Sequence, residues 1–184
     1  KDKWEIPTRT EEGGKNVLPD IAASVKEYLE REGYTNDQII GIGIGVPGPV
    51  SDAGIVNKCV NLGWGIIDLH GELSVLTGLN VKGGNDANVA ALGECWKGGG
   101  QGAKDMVMAT LGTGVGGGVV VGGKVIPGFH GAGGEIGHIT MNPREKEACG
   151  CGKFGCAEQY CSATGVVRMA KRYLSRNDTP SVLR

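Results

Sequence analysis

No stretch of this chain approaches the ~20 consecutive apolar residues that crossing a bilayer requires, and no block of like charge marks a membrane-surface or disordered tail. A net charge of -1 at pH 7 leaves no basic field for nucleic acid. A hydrophobic signal segment is missing, and six cysteines in 184 residues fall short of the density of a disulfide scaffold. These absences predict a soluble protein of a reducing cytoplasm, with one sizeable core or two small lobes. What the chain has in excess is glycine. Its 35 glycines gather at 41–48, 98–102, 112–118 and 128–137 rather than spreading as filler. Clustered glycine marks backbone that approaches something closely.

Periodicity predicts an α/β fold, because strand patterns alternate with helix patterns. Leu18, Ile21, Ala22, Val25, Tyr28 and Leu29 recur at helical spacing after Pro19. The run I-I-G-I-G-I-G-V at 39–46 alternates strictly, with Ile40, Ile42, Ile44 and Val46 on one face and Gly41, Gly43 and Gly45 on the other. A short extended segment follows near 55–60, and Asp68 opens a helix through Leu69, Leu73 and Leu76 that Gly78 stops. The passage V-K-G-G-N-D-A-N-V-A-A-L-G-E-C-W sets Asp86 at a strand-to-helix junction, with Val89, Ala90, Leu92 and Trp96 as the candidate core face. Residues 106–111 and 118–121 read as strands around G-T-G-V-G-G, and Gly122-Gly123 as a turn into a further strand. Val166, Val167, Ala170, Tyr173 and Leu174 predict a last amphipathic helix with Thr164 available as its cap.

Three constellations carry chemistry. Cys149, Cys151 and Cys156 read C-x-C-x4-C, and His138, eleven residues before them, completes a Cys3His set typical of closed structural zinc; Gly150, Gly152 and Gly155 let the backbone fold around an ion. Disulfides are the competing reading, but two thiols separated by one residue are poorly placed to bridge each other. The turn L-G-T-G-V-G-G-G at 111–118 lacks the ending of a P-loop and does not open a helix as a dinucleotide fingerprint must. It is either an irregular hairpin or a nest of backbone N–H groups for phosphate, with the Thr113 hydroxyl as an added donor. Asp86 is either a helix N-cap or a general base that takes a proton from an alcohol during phosphoryl transfer. His70 and His130 carry no such context and read as surface or loop residues, and Cys59, Cys95 and Cys161 as small hydrophobic residues.

Taken in order, N-D-A-N at 85–88, L-G-T-G-V-G at 111–116, E-x-G-H at 135–138 and C-x-C-G-x-x-G-C-x-E at 149–158 resemble the ROK group of sugar kinases and sugar-responsive repressors, most of all its bacterial glucokinase branch. The resemblance covers roughly residues 39 to 175. It implies an actin-like ATPase (ribonuclease H-like) fold, here an incomplete two-lobed sugar kinase with a Cys3His zinc loop, its sugar lying in the cleft. Residues 1–97 would belong to the N-terminal lobe and 98–184 to the C-terminal lobe. On this resemblance Asp86 would be the catalytic base, and Asn85, Glu135, His138 and Glu158 would hydrogen-bond the other sugar hydroxyls. Gly112, Thr113, Gly114 and Gly116 would contact the phosphates of ATP carried with Mg2+. His138, Cys149, Cys151 and Cys156 would hold a structural Zn2+, one ring nitrogen of His138 on the metal and the other toward the sugar. Family members are commonly homo-oligomers, dimers or tetramers.

The family's early D-x-G-G-T motif is absent, as is its later adenosine-binding segment. The resemblance therefore implies an interior portion of a longer kinase that would not turn over ATP by itself, because transition-state dipoles are lacking. N-L-G-W at 61–64 is similar to the glucokinase branch and points to glucose. A ROK repressor, a ROK kinase for another hexose or amino sugar, and a zinc-stapled interaction domain are the alternatives.

Overall fold

The computed structural model describes residues 2–129, 131–178 and 180–183, so His130 lies outside the described residues. The chain forms two units, Lys1–Val89 with Pro127–Ala132 and Ala90–Ile126 with Gly133–Arg184. Both mix helix and strand, as the alternating patterns predict. Among the described residues no helix is long and apolar enough to cross a membrane.

In the first unit, a short helical turn α1 (Glu11–Gly14) leads into α2 (Val17–Glu32), then β1 (Ile42–Val46), β2 (Ile55–Val56), β3 (Ile67–Asp68), α3 (Leu69–Thr77) and β4 (Val81–Asn85). Strands β1 and β4 pair in parallel, Ile42 opposite Val81 and Val46 opposite Asn85, while β2 and β3 pair antiparallel. The predicted strand from residue 39 is shorter than its alternation suggests. Pairing starts only where β4 begins at Val81, and Ile40 is left 98% exposed. The glycine face of β1 does admit close packing: a Cβ on Gly45 would sit 3.3 Å from the Cα of Asp86.

The helical stripe of α2 buries Val17, Leu18, Ala22 and Leu29. Val17 and Leu18 pack with Val46, Val50, Val56, Cys59, Trp64 and Leu69 in one cluster; Ala22 joins Leu73 and Val81 in another. Trp64, from the Asn-Leu-Gly-Trp segment, is a core residue whose indole Nε1 donates to the Gly14 carbonyl at 3.0 Å. Helix α3 has the ends expected of it. The Asp68 carboxylate accepts from the Gly71 N–H at 2.9 Å, and Gly78 closes the helix in the left-handed region at φ +70°.

Helix α4 (Asp86–Lys97) begins in the first unit and ends in the second. Its inward residues are Asn88, Ala91 and Cys95, whereas Val89, Leu92 and Trp96, the expected core face, are exposed. Small side chains win this position because Ala91 and Cys95 fit against Val120, Met106 and Met108 of the second unit's sheet. That sheet is an antiparallel meander of β5 (Met106–Leu111), β6 (Val115–Val121) and β7 (Lys124–Val125). Strand β6 starts earlier than the sequence suggests, at Val115, so Gly116 and Gly117 are ladder residues rather than turn residues. Their use is close approach, since a Cβ on Gly117 would collide with the Gly134 carbonyl and the Ile136 side chain.

Two helices close the second unit, α5 (Glu158–Cys161) and α6 (Ala163–Leu174). The cap of α6 is Ser162, whose Oγ accepts from the Gly165 N–H at 2.9 Å; Thr164, the expected cap, instead donates to the Thr113 carbonyl at 2.7 Å. The expected apolar face of α6 is met only in part, by the half-buried Ala170 and Leu174. Val166, Val167 and Tyr173 are more than half exposed, and the helix turns Gly165, Arg168 and Arg172 inward. The reason is a carboxylate. Glu145 is 8% exposed, and both arginines and the Tyr160 hydroxyl converge on it.

Candidate functional site

In the first unit the β4–α4 corner divides two tasks between neighbouring side chains. Asn85 Oδ1 accepts from the Asn88 N–H at 3.1 Å and its Nδ2 donates to the Gly48 carbonyl at 3.2 Å. Asn85 therefore caps α4 and ties the corner to the turn after β1. Asp86, for which the sequence left capping open, is instead the first residue of the helix and is exposed, its Oδ1 accepting, among the described residues, only from the adjacent Ala87 N–H at 2.9 Å. Its carboxylate is left accessible for chemistry.

The second unit gathers the glycine turn, the E-x-G-H segment and the cysteine loop. The turn is pinned from both sides. Gly112 N–H donates to the Gly114 carbonyl at 3.0 Å, the Ala163 N–H at the start of α6 donates to the Gly112 carbonyl at 2.8 Å, and Thr164 holds Thr113. Thr113 itself is exposed, whereas Gly116 sits inside β6 opposite Thr110. Glu158, the first residue of α5, folds onto this turn: its Oε2 accepts from the Val115 N–H at 2.9 Å and occupies the space that a Cβ on Gly114 would need.

His138 ends a short turn, Ile136–His138, placed against β6 because Gly137 presses on Val115. One donor atom from each of His138, Cys149, Cys151 and Cys156 lies within 4.8 Å of the others. Cys151 Sγ and Cys156 Sγ are 3.7 Å apart, and Cys149 Sγ is 3.8 Å from His138 Nδ1. A tetrahedron with metal–sulfur bonds of about 2.3 Å has edges of about 3.8 Å, so these separations suit zinc. The donor chemistry agrees: burial pushes the Cys149 thiol up to about 12, so a compact set of thiolates here calls for a cation. With Nδ1 turned to the thiols, His138 Nε2 faces the Glu135 carboxylate at 3.8 Å, and both side chains are partly exposed. Glu158 Oε1 completes the cluster's surroundings, accepting from the Cys149 thiol at 3.6 Å.

Sequence reasoning missed what supports the cysteine loop. Arg172 and the Tyr160 hydroxyl hold the Glu145 carboxyl well below the usual carboxylate range, and Arg168 and Arg172 lower that of Glu147. Gln159 adds a second strut, accepting from the Cys156 N–H at 3.1 Å and donating to the Glu147 carbonyl at 3.0 Å. The signal was present as Arg168 and Arg172 one helical turn apart, a spacing that puts both on one face. Cys59 and Cys95 are buried as expected; Cys161 is exposed, its thiol donating to the Ala157 carbonyl at 3.1 Å.

The model of the ROK family matches residues 4–183, and the chain belongs to that family. It is 48% identical over 170 residues to a glucokinase of Halalkalibacterium halodurans, covering 92% of this chain and 52% of that protein. It is similar to the crystal structure of a ROK family glucokinase from Streptomyces griseus in complex with glucose and AMPPNP, with a TM-score of 0.76, 35% identity, and coverage of 95% of this chain and 54% of that one. It is also similar to a ROK family transcriptional regulator, a homolog of the E. coli MLC protein, with a TM-score of 0.77, 30% identity, and coverage of 91% and 42%. The α/β chain thus shares its fold with ROK sugar kinases, and it spans about half the length of the curated relatives it matches.

Proposed function

We propose that this chain is part of an ATP-dependent hexose kinase that converts glucose to glucose 6-phosphate, with Asp86 as general base. The observation that carries the base assignment is that Asn85 caps α4, so Asp86 keeps an exposed carboxylate. Phosphoryl transfer to an alcohol needs a carboxylate that accepts the hydroxyl proton, while fixed dipoles stabilise charge on the transferring group. Glucose is supported by the identity to the Halalkalibacterium halodurans glucokinase and by the likeness to the Streptomyces griseus glucokinase in complex with glucose.

In this reading Asn85, Glu135, His138 and Glu158 hydrogen-bond the remaining hydroxyls. Asn85 and Glu158 are already held by backbone partners, and each retains unused hydrogen-bonding positions for a sugar. Gly112, Thr113, Gly114 and Gly116 line the phosphates of ATP, Thr113 with its exposed hydroxyl, and Mg2+ accompanying the nucleotide neutralises phosphate charge. His138 Nδ1 with Cys149, Cys151 and Cys156 holds a structural Zn2+, which when bound fixes the ring and leaves Nε2 for a hydroxyl. A cytoplasmic homo-oligomer, dimer or tetramer, goes with this reading.

The test is Asp86→Asn in the full-length protein. Loss of the base lowers turnover by ~100- to 10,000-fold with glucose affinity retained by calorimetry; near-normal turnover removes Asp86 from the role. A sugar-responsive regulator is the second reading, favoured by the likeness to the transcriptional regulator. Absence of any hexose phosphorylation by the full-length protein, with sugar binding intact, would select it.

A further inference from the structure

We infer that His70 is a positioning residue for the Asn85–Asp86 corner, its imidazole accepting a backbone hydrogen bond along the outer edge of β4. The inference rests on the kinase reading for its functional half. In the described sheet β4 pairs with β1 alone, so its other edge carries backbone donors in need of partners. Gly83, which faces Ile44 across the β1–β4 register, donates its N–H to His70 Nε2 at 2.7 Å. The ring stands where a neighbouring strand's carbonyl would otherwise stand.

The seat of the ring is built by glycine. Gly54 has φ +84°, and a Cβ there would fall on the ring atoms Cγ, Nδ1 and Cδ2 of His70. The Gly54 carbonyl also accepts from the Leu69 N–H at 3.0 Å, which fixes the start of α3 beside that turn. At Gly83 a Cβ would meet Leu69 Cδ2 at 2.6 Å, so the strand approaches α3 closely only because this position is glycine. His70 is half-buried between the turn and the strand. An acceptor at Nε2 requires the neutral ring to carry its proton on Nδ1, which defines the tautomer.

Gly83 lies two residues before Asn85. The corner is thus anchored twice: by Asn85 on Gly48 and Asn88, and by His70 on the strand that delivers Asn85 and Asp86. A catalytic group displaced by about 1 Å loses on the order of 100-fold in rate, so an anchor this near Asp86 reports in turnover.

The experiment uses the full-length protein. Long-range proton–nitrogen NMR on the 15N-labelled wild type is expected to show His70 protonated on Nδ1 and bare on Nε2; a proton on Nε2 overturns the inference whatever the ligand. His70→Phe fills the seat without an acceptor, and His70→Gln presents an oxygen that can receive the Gly83 N–H. On the order of a 10-fold fall in kcat is expected for His70→Phe, as follows from leaving a half-buried donor unpaired. His70→Gln is expected to return to within about threefold of wild type. Wild-type kcat and KM in His70→Phe, however far its Tm falls, would make the residue merely structural and overturn the proposal, as would failure of His70→Gln to exceed His70→Phe. A wild type that phosphorylates no hexose instead overturns the kinase reading, while the tautomer still decides the contact at Gly83.

Discussion

Three glycines in one loop, Gly150, Gly152 and Gly155, offer a graded test of why the cysteine loop closes around its four donors. Alanine at each position meets a different obstacle. At Gly150 a Cβ would enter open space, with no positive φ. Gly152 is also open but sits at φ +86°, which costs an L residue about 1–2 kcal/mol. Gly155 sits at φ +72° and its Cβ would collide with the Asn142 carbonyl, a backbone group that cannot swing aside. The carbonyl of Gly155 also accepts from the N–H groups of Met141 at 2.7 Å and Asn142 at 3.1 Å. Losing both adds about 1 kcal/mol each to the conformational term, for about 3–4 kcal/mol in all. The expected order is Gly150→Ala near neutral, Gly152→Ala mild and Gly155→Ala severe. Because Gly155 immediately precedes Cys156, on the proposed zinc reading the same cost appears in metal retention, on the order of several hundred-fold weaker zinc affinity by chelator competition. Thermal melting and zinc stoichiometry of the three full-length variants are the assays. Equal effects of Gly152→Ala and Gly155→Ala would show that crowding at Asn142 does not shape the loop, and the packing argument would fail.

Ser162→Ala removes the cap of α6 and should lower stability by about 1–2 kcal/mol in denaturant melts, whereas Thr164→Ala should leave the helix nearly unaffected and act on the glycine turn through Thr113. The reverse order would restore Thr164 as the cap. Since Arg172 and Tyr160 hold the Glu145 carboxyl below its ordinary value, its contribution is present at neutral pH and lost as pH falls below about 4.3 toward the depressed folded value. The Tm gap between wild type and Glu145→Gln should therefore narrow with acidification; a gap independent of pH would contradict the pairing. On the proposed zinc reading, Cys156→Ser should release the metal and expose the loop to limited proteolysis between Asn142 and Cys156, and an unchanged digestion pattern would argue that no metal staples this segment.

Where the sequence could be read and where it could not follows from what each feature depends on. Asp68 and Gly78 bound α3 as predicted because caps are local chemistry, decided within four residues. The Cys3His cluster was legible for a related reason: thiols and imidazole at such spacing have few uses, and the four donors do converge. The inward face of α4, and part of that of α6, were misread because periodicity ranks residues by apolarity, while packing selects by fit and by partner. On α4 the sheet accepted Ala91 and Cys95 and left Trp96 outside; on α6 a single buried carboxylate, Glu145, drew two arginines inward. His70 was dismissed for lack of sequence context, yet its partner is a backbone N–H thirteen positions away, which no motif can display.

Residues 156–165 make the Cys3His cluster and the glycine turn parts of one assembly within the second unit. At one end, the Cys156 N–H is held by Gln159 and its thiol belongs to the cluster. In the middle, Glu158 reaches the Cys149 thiol with one oxygen and the Val115 N–H with the other. At the far end, Ala163 and Thr164 hold the carbonyls of Gly112 and Thr113. Two features that the sequence places in separate motifs therefore share a ten-residue strap whose contacts run continuously from thiol to turn. The hydrogen-bonded chain is short and partly buried, so a shift at one end has little slack to absorb it. It follows that the strap carries position by its own backbone contacts: Gln159 on the Cys156 N–H and Glu158 on the Val115 N–H tie the register at which the glycine turn passes into β6 to the place of Cys156.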